Sequence, residues 1–246
     1  MSRIEREDHR LIWEQKPVLR KVYKDYYDRI LAHCRRGSTL EIGSGTGNLK
    51  DYCSQVTSID IVATKSVDVV SDAQALPFAT GSFSNVIAVD TLHHVACPLY
   101  MLRESARVLR PGGRLLLLEP GVTIVSWFFY KYLHPERVDF DVNPLAEGSL
   151  SDGRDPDDAN QAVATLLTGK YRGQLGRVCP ALRLSHHYWQ SLFVYPLSGG
   201  FRRWSLLPNT LVDSLLKLDN RLAPRLGRLM GFRLFIVIDR IEGELC

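Results

Sequence analysis

The sequence predicts a doubly wound α/β fold, in which helices cover both faces of a seven-stranded, mostly parallel sheet. Three observations predict it: short apolar runs of strand length, helical spacing between several of them, and turn or acidic residues where the runs end. Continuous apolar runs that alternate with helices are typical of parallel strands buried on both faces. With 246 residues, 45% of them hydrophobic, the chain can bury one large core, so we expect a single domain over residues 1–246.

The first half of the chain contains the clearest elements. Apolar residues at helical spacing predict a helix from Val18 to Leu31, and a second helix is expected over Pro98–Leu109, ended by Pro111-Gly112-Gly113. Five strands are predicted, at Thr39–Ile42, Val56–Ile59, Val67–Val70, Asn85–Val89 and Leu115–Leu118. Only Ile61–Ser66 separates the second strand from the third, whereas a parallel crossover normally takes roughly a dozen residues or more. The helix that usually fills this interval is therefore expected to be missing.

The second half is less regular. Val122–Leu133 is rich in aromatic residues, and the polar stretch Asp139–Asn160 that follows is predicted to be a mobile segment or a lid. Leu182–Leu184 and Phe232–Ile238 are predicted strands, the latter antiparallel and near the sheet edge, and Leu206–Met230 has helical spacing interrupted at Pro224 and Gly227. We expect an N-terminal helical segment (1–36), a core that carries the binding motifs (37–120), a lid or cap (121–180) and C-terminal strands with a helical insertion (181–246).

Composition narrows the setting of the protein. The N-terminus is charged where a signal peptide would be apolar, and no run approaches the roughly 20 apolar residues of a membrane span. Five cysteines without a C-x-x-C pair indicate neither a disulfide framework nor a metal site, so we expect a cytoplasmic protein. Residues 170–246 carry 12 Lys and Arg against 5 Asp and Glu. Such a basic region can attract phosphate or anionic lipid, although it is also compatible with an ordinary solvated surface.

The strongest motif is Leu40-Glu41-Ile42-Gly43-Ser44-Gly45-Thr46-Gly47, a strand that leads into a glycine-rich turn and an expected helix. Glycines let the backbone approach a ligand closely, and a helix N-terminus offers unpaired N–H groups. A dinucleotide fingerprint, G-x-G-x-x-G, would need glycine at position 48, which is Asn48. The spacing therefore disfavours a nicotinamide dinucleotide.

Further motifs follow the later strands. Ser58-Ile59-Asp60 ends the second strand in a carboxylate, which could accept hydrogen bonds from ribose hydroxyls or simply cap a turn. Ser71–Phe78 follows the third strand and contains Asp72. Asp90-Thr91-Leu92-His93-His94-Val95 closes the fourth strand, and Arg107–Gly113 introduces the fifth.

Taken together and in this order, the motifs resemble the class I S-adenosylmethionine (SAM)-dependent methyltransferases, and within them the group called methyltransferase type 11. The resemblance covers about half of the chain and implies a Rossmann-like fold whose SAM-binding core is residues 37–120. It implies SAM as the cofactor, with Glu41 orienting the loop and the cofactor amine. The other residues it assigns to the cofactor are Gly43, Ser44, Gly45 and Gly47 at the methionine moiety, Asp60 at the ribose, Asp72 and Ala73 at the adenine, and Asp90.

Methyl transfer from a sulfonium is an in-line displacement that depends mainly on positioning and water exclusion. If the acceptor is a hydroxyl, His93 or His94 is a candidate general base, since both follow the fourth strand; the alternative is that they only pack or cap the turn. His134 and the pair His186-His187 are further candidates, although two rings on a strand point to opposite faces and should not share a metal.

We expect a small-molecule acceptor, or one linked to lipid or sugar. The aromatic segment Trp127–Tyr130 and the uncharged stretch Leu184–Phe201 suit a greasy channel or a peripheral membrane contact, or else buried core. Asp158 and Asn160 are expected either in a solvated loop or in a lid that touches the substrate.

Three alternative functions stay open. A SAM-fold module could bind without transferring methyl. A nucleic-acid methyltransferase is supported only by the basic region, because Asp90-Thr91-Leu92-His93 lacks the Pro-Pro and aromatic residues that usually follow the acid or amide in base methylation. A nicotinamide oxidoreductase is the third. The sequence does not indicate an oligomeric state.

Overall fold

The computed structural model describes residues 3–148 and 159–243, and its centre is a seven-stranded sheet. The strands are β1 (Thr39–Ile42), β2 (Val56–Asp60), β3 (Val69–Val70), β4 (Phe83–Val89), β5 (Leu109–Pro120), β6 (Leu182–Gln190) and β7 (Arg233–Arg240). Their order is β3-β2-β1-β4-β5-β7-β6. Strand β7 is antiparallel to both neighbours, and the pairings among β1–β5 are parallel. The predicted doubly wound, mostly parallel sheet with one antiparallel strand near its edge is confirmed.

Helices cover both faces of the sheet. They are α1 (Arg3–Gln15), α2 (Pro17–His33), α3 (Pro98–Val108), α4 (Ile124–Leu133), α5 (Val163–Thr168), α6 (Leu175–Val178), α7 (Val194–Ser198) and α8 (Val212–Met230). Alternation along β5 divides the core: Leu115 and Leu117 pack with α3 and α5, whereas Leu116 and Leu118 pack with α2 and the start of α8. The apolar run Leu115–Leu118 is thus explained by burial on both sides.

Several elements differ from the predictions. Strand β3 is shorter, Val69–Val70 instead of Val67–Val70, and β6 is longer, Leu182–Gln190 instead of Leu182–Leu184. Three further differences involve glycine or proline. The glycine-rich turn leads into a single 3-10 turn, Asn48–Asp51, rather than an α-helix. Strand β5 begins at Leu109 instead of Leu115 and includes Pro111-Gly112-Gly113, which were expected only to end the preceding helix. Helix α8 continues through Pro224, because its amphipathic contacts on both sides of the proline compensate for the lost hydrogen bond.

A close approach explains the glycine that suggested a break in α8. A Cβ atom at Gly227 would lie 2.7 Å from Cβ of Trp189 on β6. The glycine therefore serves helix–sheet packing and does not end the helix. Between β2 and β3, residues 61–68 contain no helix, as predicted.

The segment expected to be a lid is partly packed. Leu145 is buried, Arg103 of α3 pairs with Glu147 at 2.9 Å, and the Tyr100 hydroxyl donates to the carbonyl of Gly148. Asn160 is also buried, which rules out the solvated loop for this residue. Asp158 lies outside the described residues.

Two observations bear on the setting of the protein. Within residues 3–148 and 159–243, none of the helices combines the length and the apolar character needed to span a bilayer. Cys34 and Cys53 are free thiols, whereas Cys179 is disulfide-bonded, which the cysteine pattern had not indicated.

Candidate functional site

The glycine-rich loop lies where the carboxyl ends of β1 and β4 meet, which is the point where chain connections leave in opposite directions and ligands bind in such sheets. Gly43, Gly45 and Gly47 adopt φ values of 72°, 53° and 75°, a region that favours glycine. The amide of Gly45 donates to Oδ2 of Asp60 at 2.9 Å. A Cβ atom at Gly45 would meet nothing within 4 Å, whereas one at Gly43 would lie 2.2 Å from Oγ1 of Thr91. The loop is therefore closed beside Gly43 and open beside Gly45.

Polar groups around this loop fit the methionine part of SAM, which carries an ammonium and a carboxylate. Glu41 is buried in β1, where its Oε2 accepts a hydrogen bond from the Ser58 hydroxyl at 2.8 Å, and burial raises its pKa to about 7. The Ser44 hydroxyl oxygen is buried without a hydrogen-bond partner among the described residues. The ammonium of SAM near Glu41 would pair with that carboxylate, and the carboxylate of SAM would accept a hydrogen bond from the Ser44 hydroxyl. The residues present therefore fit the methionine part of SAM.

Asp72 is held at the end of β3 by Gln74. Its Oδ1 accepts a hydrogen bond from the backbone N–H of Gln74 at 2.8 Å. The side-chain nitrogen of Gln74 donates to both carboxylate oxygens of Asp72 at 3.1 Å. The Gln74 oxygen in turn accepts from the backbone of Cys97, just before α3. The carboxylate is fixed in place, and the assignment of Asp72 and Ala73 to adenine stays a prediction.

Asp90 follows β4 with a φ of 52°, which is unusual for a residue other than glycine. Its carboxylate accepts hydrogen bonds from both terminal nitrogens of Arg233, one of them at 2.8 Å. It also accepts one from the Tyr23 hydroxyl at 3.2 Å. Arg233 is buried, and its guanidinium carbon lies 4.1 Å from the ring centroid of Tyr195. Asp90 is thus engaged by β7, and its contact with the cofactor stays a prediction.

Glu119, near the end of β5, holds the loop after β4. It is fully buried, and its Oε1 accepts from the amides of Thr91 and Leu92 at 3.0 and 2.8 Å. Its Oε2 accepts from the amide of His93 at 3.4 Å and lies 2.6 Å from Nδ1 of the same residue. Because one carboxylate meets three amides and an imidazole, the position of His93 is fixed by β5.

The two candidate bases differ in their surroundings. The Nε2 atom of His93 lies 3.6 Å from Oε2 of Glu136, so both ring nitrogens of His93 face carboxylates. Burial alone would lower the pKa of His93, but Glu119 and Glu136 raise it to about 10. The rings of His93 and His94 are 4.2 Å apart, and burial together with His93 lowers the pKa of His94 to about 4. His94 Nδ1 is buried without a hydrogen-bond partner in the described part of the chain.

A cavity of about 300 Å³ lies beside Glu136. It is lined by Trp127, Tyr130, Lys131, His134, Pro135, Glu136, Arg137 and Val138. Asn160 fixes the segment that lines this cavity. Its backbone N–H donates to the carbonyl of His93, and its side chain forms hydrogen bonds with the backbone N–H and carbonyl of Asp139. Asn160 is therefore a positioning residue, which accounts for its burial.

The remaining histidine pair lies elsewhere. His186 and His187 occupy the middle of β6, opposite Val237 and Ile236 of β7. They line a different cavity, of about 410 Å³, together with His33 and Arg172. The structure does not bring them to the site at the ends of β1 and β4.

Four site residues were missed by the sequence reasoning: Glu119, Arg233, Gln161 and Glu136. The first two had a signal, since each is a charged residue at the end of an apolar strand run. A charge in a strand buried on both faces needs a partner. Gln161, whose side-chain nitrogen donates to Glu136, had none.

Comparison with known proteins agrees with this geometry. Residues 40–117 match a family model described as a methyltransferase domain. A demethylmenaquinone methyltransferase from Beutenbergia cavernae is 34% identical over 156 residues, which are 54% of this chain and 65% of that protein. The matches cover 17%, 65% and 34% of the length of the first three curated relatives, so each spans less than two thirds of its relative.

Two solved structures share the fold. A SAM-dependent methyltransferase from Thermotoga maritima superposes with a TM-score of 0.54 at 14% identity, covering 93% of this chain and 94% of that one. Geranyl diphosphate C-methyltransferase from Streptomyces coelicolor A3(2), solved with Mg²⁺, geranyl diphosphate and S-adenosylhomocysteine, has a TM-score of 0.52 at 11% identity, covering 90% and 80%. At these identities the likeness establishes the fold.

Proposed function

We propose that this chain, whose residues 40–117 match the methyltransferase domain model, is a class I SAM-dependent methyltransferase and transfers the methyl group of SAM to a small-molecule acceptor. One observation carries the proposal: the loop after β1 holds three glycines at positive φ and leaves open space beside Gly45. That space is bordered by the strand-end carboxylate of Asp60, whose Oδ2 receives the Gly45 amide. A glycine-rich loop after a strand, with a carboxylate at the end of the neighbouring strand, is an arrangement that suits an amino acid linked to a nucleoside, such as SAM.

The residues divide the work of holding SAM. Glu41 and the loop from Gly43 to Gly47 take the methionine part, Asp60 the ribose, and Asp72 with the amide of Ala73 the adenine. When bound, SAM supplies an activated methyl group. The protein's contribution is to fix the donor and acceptor in line and to exclude water.

We place the acceptor in the cavity of about 300 Å³ beside α4. This volume is at the lower end of the range for small-molecule sites. Its lining combines aromatic and aliphatic surface from Trp127, Tyr130 and Val138 with the cations Lys131 and Arg137. An acceptor with an apolar part and an oxygen-rich or anionic part fits such a lining, which agrees with the quinone and prenyl diphosphate named for two of the similar proteins.

The outer face of α4 supports a lipid-linked acceptor. Ile124, Phe128, Tyr132 and Leu133 expose 65%, 55%, 66% and 62% of their surface. Lys131 lies on this helix, and the Arg202 guanidinium donates to the carbonyl of Leu133 at 3.3 Å. Apolar side chains beside cations suit the surface of an anionic bilayer, from which an acceptor could reach the adjacent cavity.

Sedimentation with vesicles tests the membrane part. The protein should sediment with anionic vesicles at low salt, and Phe128→Ser combined with Tyr132→Ser should release it. Leu11→Ser is the matched control, since Leu11 is an exposed apolar residue on α1. Equal sedimentation of all three proteins, or none by the unaltered protein, would remove the membrane contact and leave a soluble acceptor.

Calorimetric titration with SAM, S-adenosylhomocysteine and NAD tests the proposed function itself. Micromolar binding of the two sulfur ligands alone is the expected result, followed by release of S-adenosylhomocysteine when an acceptor is supplied. Binding without turnover over a broad acceptor screen would favour the non-catalytic module. Binding of NAD alone would favour the oxidoreductase.

A further inference from the structure

Three potential metal ligands meet beside the acceptor cavity, although the sequence spacing indicated no metal site. His93 and His94 follow β4, and Glu136 comes from the segment after α4. One side-chain atom from each lies within 4.8 Å of the others. We propose that His93, His94 and Glu136 bind one divalent ion of the Zn²⁺ type, and that this ion holds the oxygen of a hydroxyl-bearing acceptor. The binding of the ion is independent of the proposed function, whereas its contact with the acceptor oxygen rests on that function.

The separation of the best-placed pair matches a shared ion. Imidazole nitrogens and carboxylate oxygens bind Zn²⁺ at about 2.0–2.2 Å. With His93 Nε2 and Glu136 Oε2 at 3.6 Å, the two bonds to one ion would enclose an angle of about 118°, close to tetrahedral. Two such ligands at a tetrahedral angle lie about 3.4–3.6 Å apart, so a pair separated by as much as 4.8 Å would have to close by about 1.3 Å. We expect a side-chain rotation of His94 to provide this closure when the ion binds.

Both fixed ligands have the supporting contacts typical of a metal site. A histidine ligand usually engages a carboxylate through its other ring nitrogen, which sets its tautomer and its orientation. His93 does so through Nδ1, 2.6 Å from Oε2 of Glu119, and thereby turns Nε2 toward Glu136. Glu136 in turn accepts a hydrogen bond from the side-chain nitrogen of the buried Gln161.

An ion pair alone does not account for the cluster. A protonated His93 between Glu119 and Glu136 would satisfy those three groups, but it leaves His94 Nδ1 buried without a hydrogen-bond partner among the described residues. Burying such a nitrogen unpaired lowers stability. A bound ion would use a nitrogen of His94 as its third ligand and would compensate for the two carboxylates at once.

Three protein ligands leave a fourth position, as in catalytic zinc sites. Glu136 lines the cavity proposed for the acceptor, so an acceptor hydroxyl there could complete the coordination. The ion would lower the pKa of that hydroxyl, whose proton passes to solvent. The oxygen then forms a bond to the methyl carbon of SAM while the carbon–sulfur bond breaks, and the sulfonium becomes the thioether of S-adenosylhomocysteine. In this arrangement His93 and His94 are ligands and not general bases.

The test uses the full chain after treatment with a chelator. Zn²⁺ is titrated by calorimetry, and Co²⁺ by its visible absorption, which reports a site of mixed nitrogen and oxygen ligands. We expect one ion per chain with micromolar affinity or better, and a loss of at least 100-fold in Glu136→Gln and in His94→Gln. Gln161→Ala should weaken binding about 10-fold, because it removes a supporting contact only.

The second histidine pair provides the control. His186→Gln combined with His187→Gln should bind Zn²⁺ like the unaltered protein. Thermal unfolding and SAM titration of each metal-free variant show whether the fold and the glycine loop are intact. Absence of stoichiometric binding in the folded protein would overturn the proposal, as would binding that survives both site variants. If SAM binds and Zn²⁺ does not, only this inference fails; if Zn²⁺ binds and SAM does not, the proposed function fails.

Discussion

Substituting Gly45 by alanine separates the cost of backbone strain from the cost of blocking the cofactor. The φ of 53° at Gly45 disfavours a residue with a Cβ atom by about 1–2 kcal/mol, and the smaller flexibility of the unfolded alanine chain offsets about 0.4–1 kcal/mol of this. The net loss is about 1 kcal/mol. For a chain of 246 residues it should lower Tm by about 2–4 °C.

The effect on the cofactor should be larger than the effect on stability. The added methyl meets no protein atom within 4 Å, so it projects into the space assigned to SAM. Filling a well-packed site with an extra carbon costs about 1–3 kcal/mol. The affinity for SAM should therefore fall about 5- to 150-fold, as measured by calorimetry at a temperature where the variant is folded.

Gly81→Ala is the matched control. Gly81 has a φ of 73°, and a Cβ atom there would also meet nothing within 4 Å. Gly81 differs from Gly45 in that it lies just before β4, outside the glycine-rich motif. Its Tm should fall by a similar amount while SAM binds as before. The reasoning is refuted if Gly45→Ala keeps full affinity, or if both variants lose affinity together.

Three further predictions follow from the same structure. Asp72→Ala should weaken SAM binding by about 1–3 kcal/mol if its carboxylate hydrogen-bonds adenine, and unchanged affinity would remove that assignment. Burial raises the pKa of Glu41 to about 7, above its unfolded value near 4.5, so the native state holds the proton more tightly and the free energy of unfolding should fall between pH 4.5 and 7. Glu41→Gln should be free of this fall, which amounts to about 3 kcal/mol, when both proteins are unfolded by urea at pH 5, 6, 7 and 8; parallel profiles would contradict it. Asp90→Asn should lower the free energy of unfolding by roughly 3 kcal/mol by leaving the buried Arg233 unpaired, and adding Arg233→Met should recover most of the loss; additive losses would show that the two residues are not coupled.

The sheet and the cofactor loop could be predicted from sequence because both depend on local pattern. The run from Leu115 to Leu118 is buried on both faces, so its composition alone identifies the strand. The glycines at 43, 45 and 47 are required by backbone conformation, which depends on a few neighbouring residues. These features are readable without knowing which distant elements meet.

The acceptor side of the site could not be predicted, because its residues meet only in three dimensions. His93 is separated from Glu119 by 26 residues and from Glu136 by still more, and no local pattern relates them. The sequence therefore indicated a general base where the structure shows a cluster of histidines and glutamates. Pro224 misled for a similar reason, since the packing that preserves α8 comes from elsewhere in the chain.

The pairing of Asp90 with Arg233 also constrains how this protein can change over evolution or by engineering. The two residues are 143 positions apart, yet the loss of Asp90 alone would leave the buried guanidinium of Arg233 without its charge partner. Substitutions at these positions should therefore occur jointly in related chains. A chimera that imports the loop after β4 from a relative, in order to alter acceptor choice, must import the first residue of β7 as well.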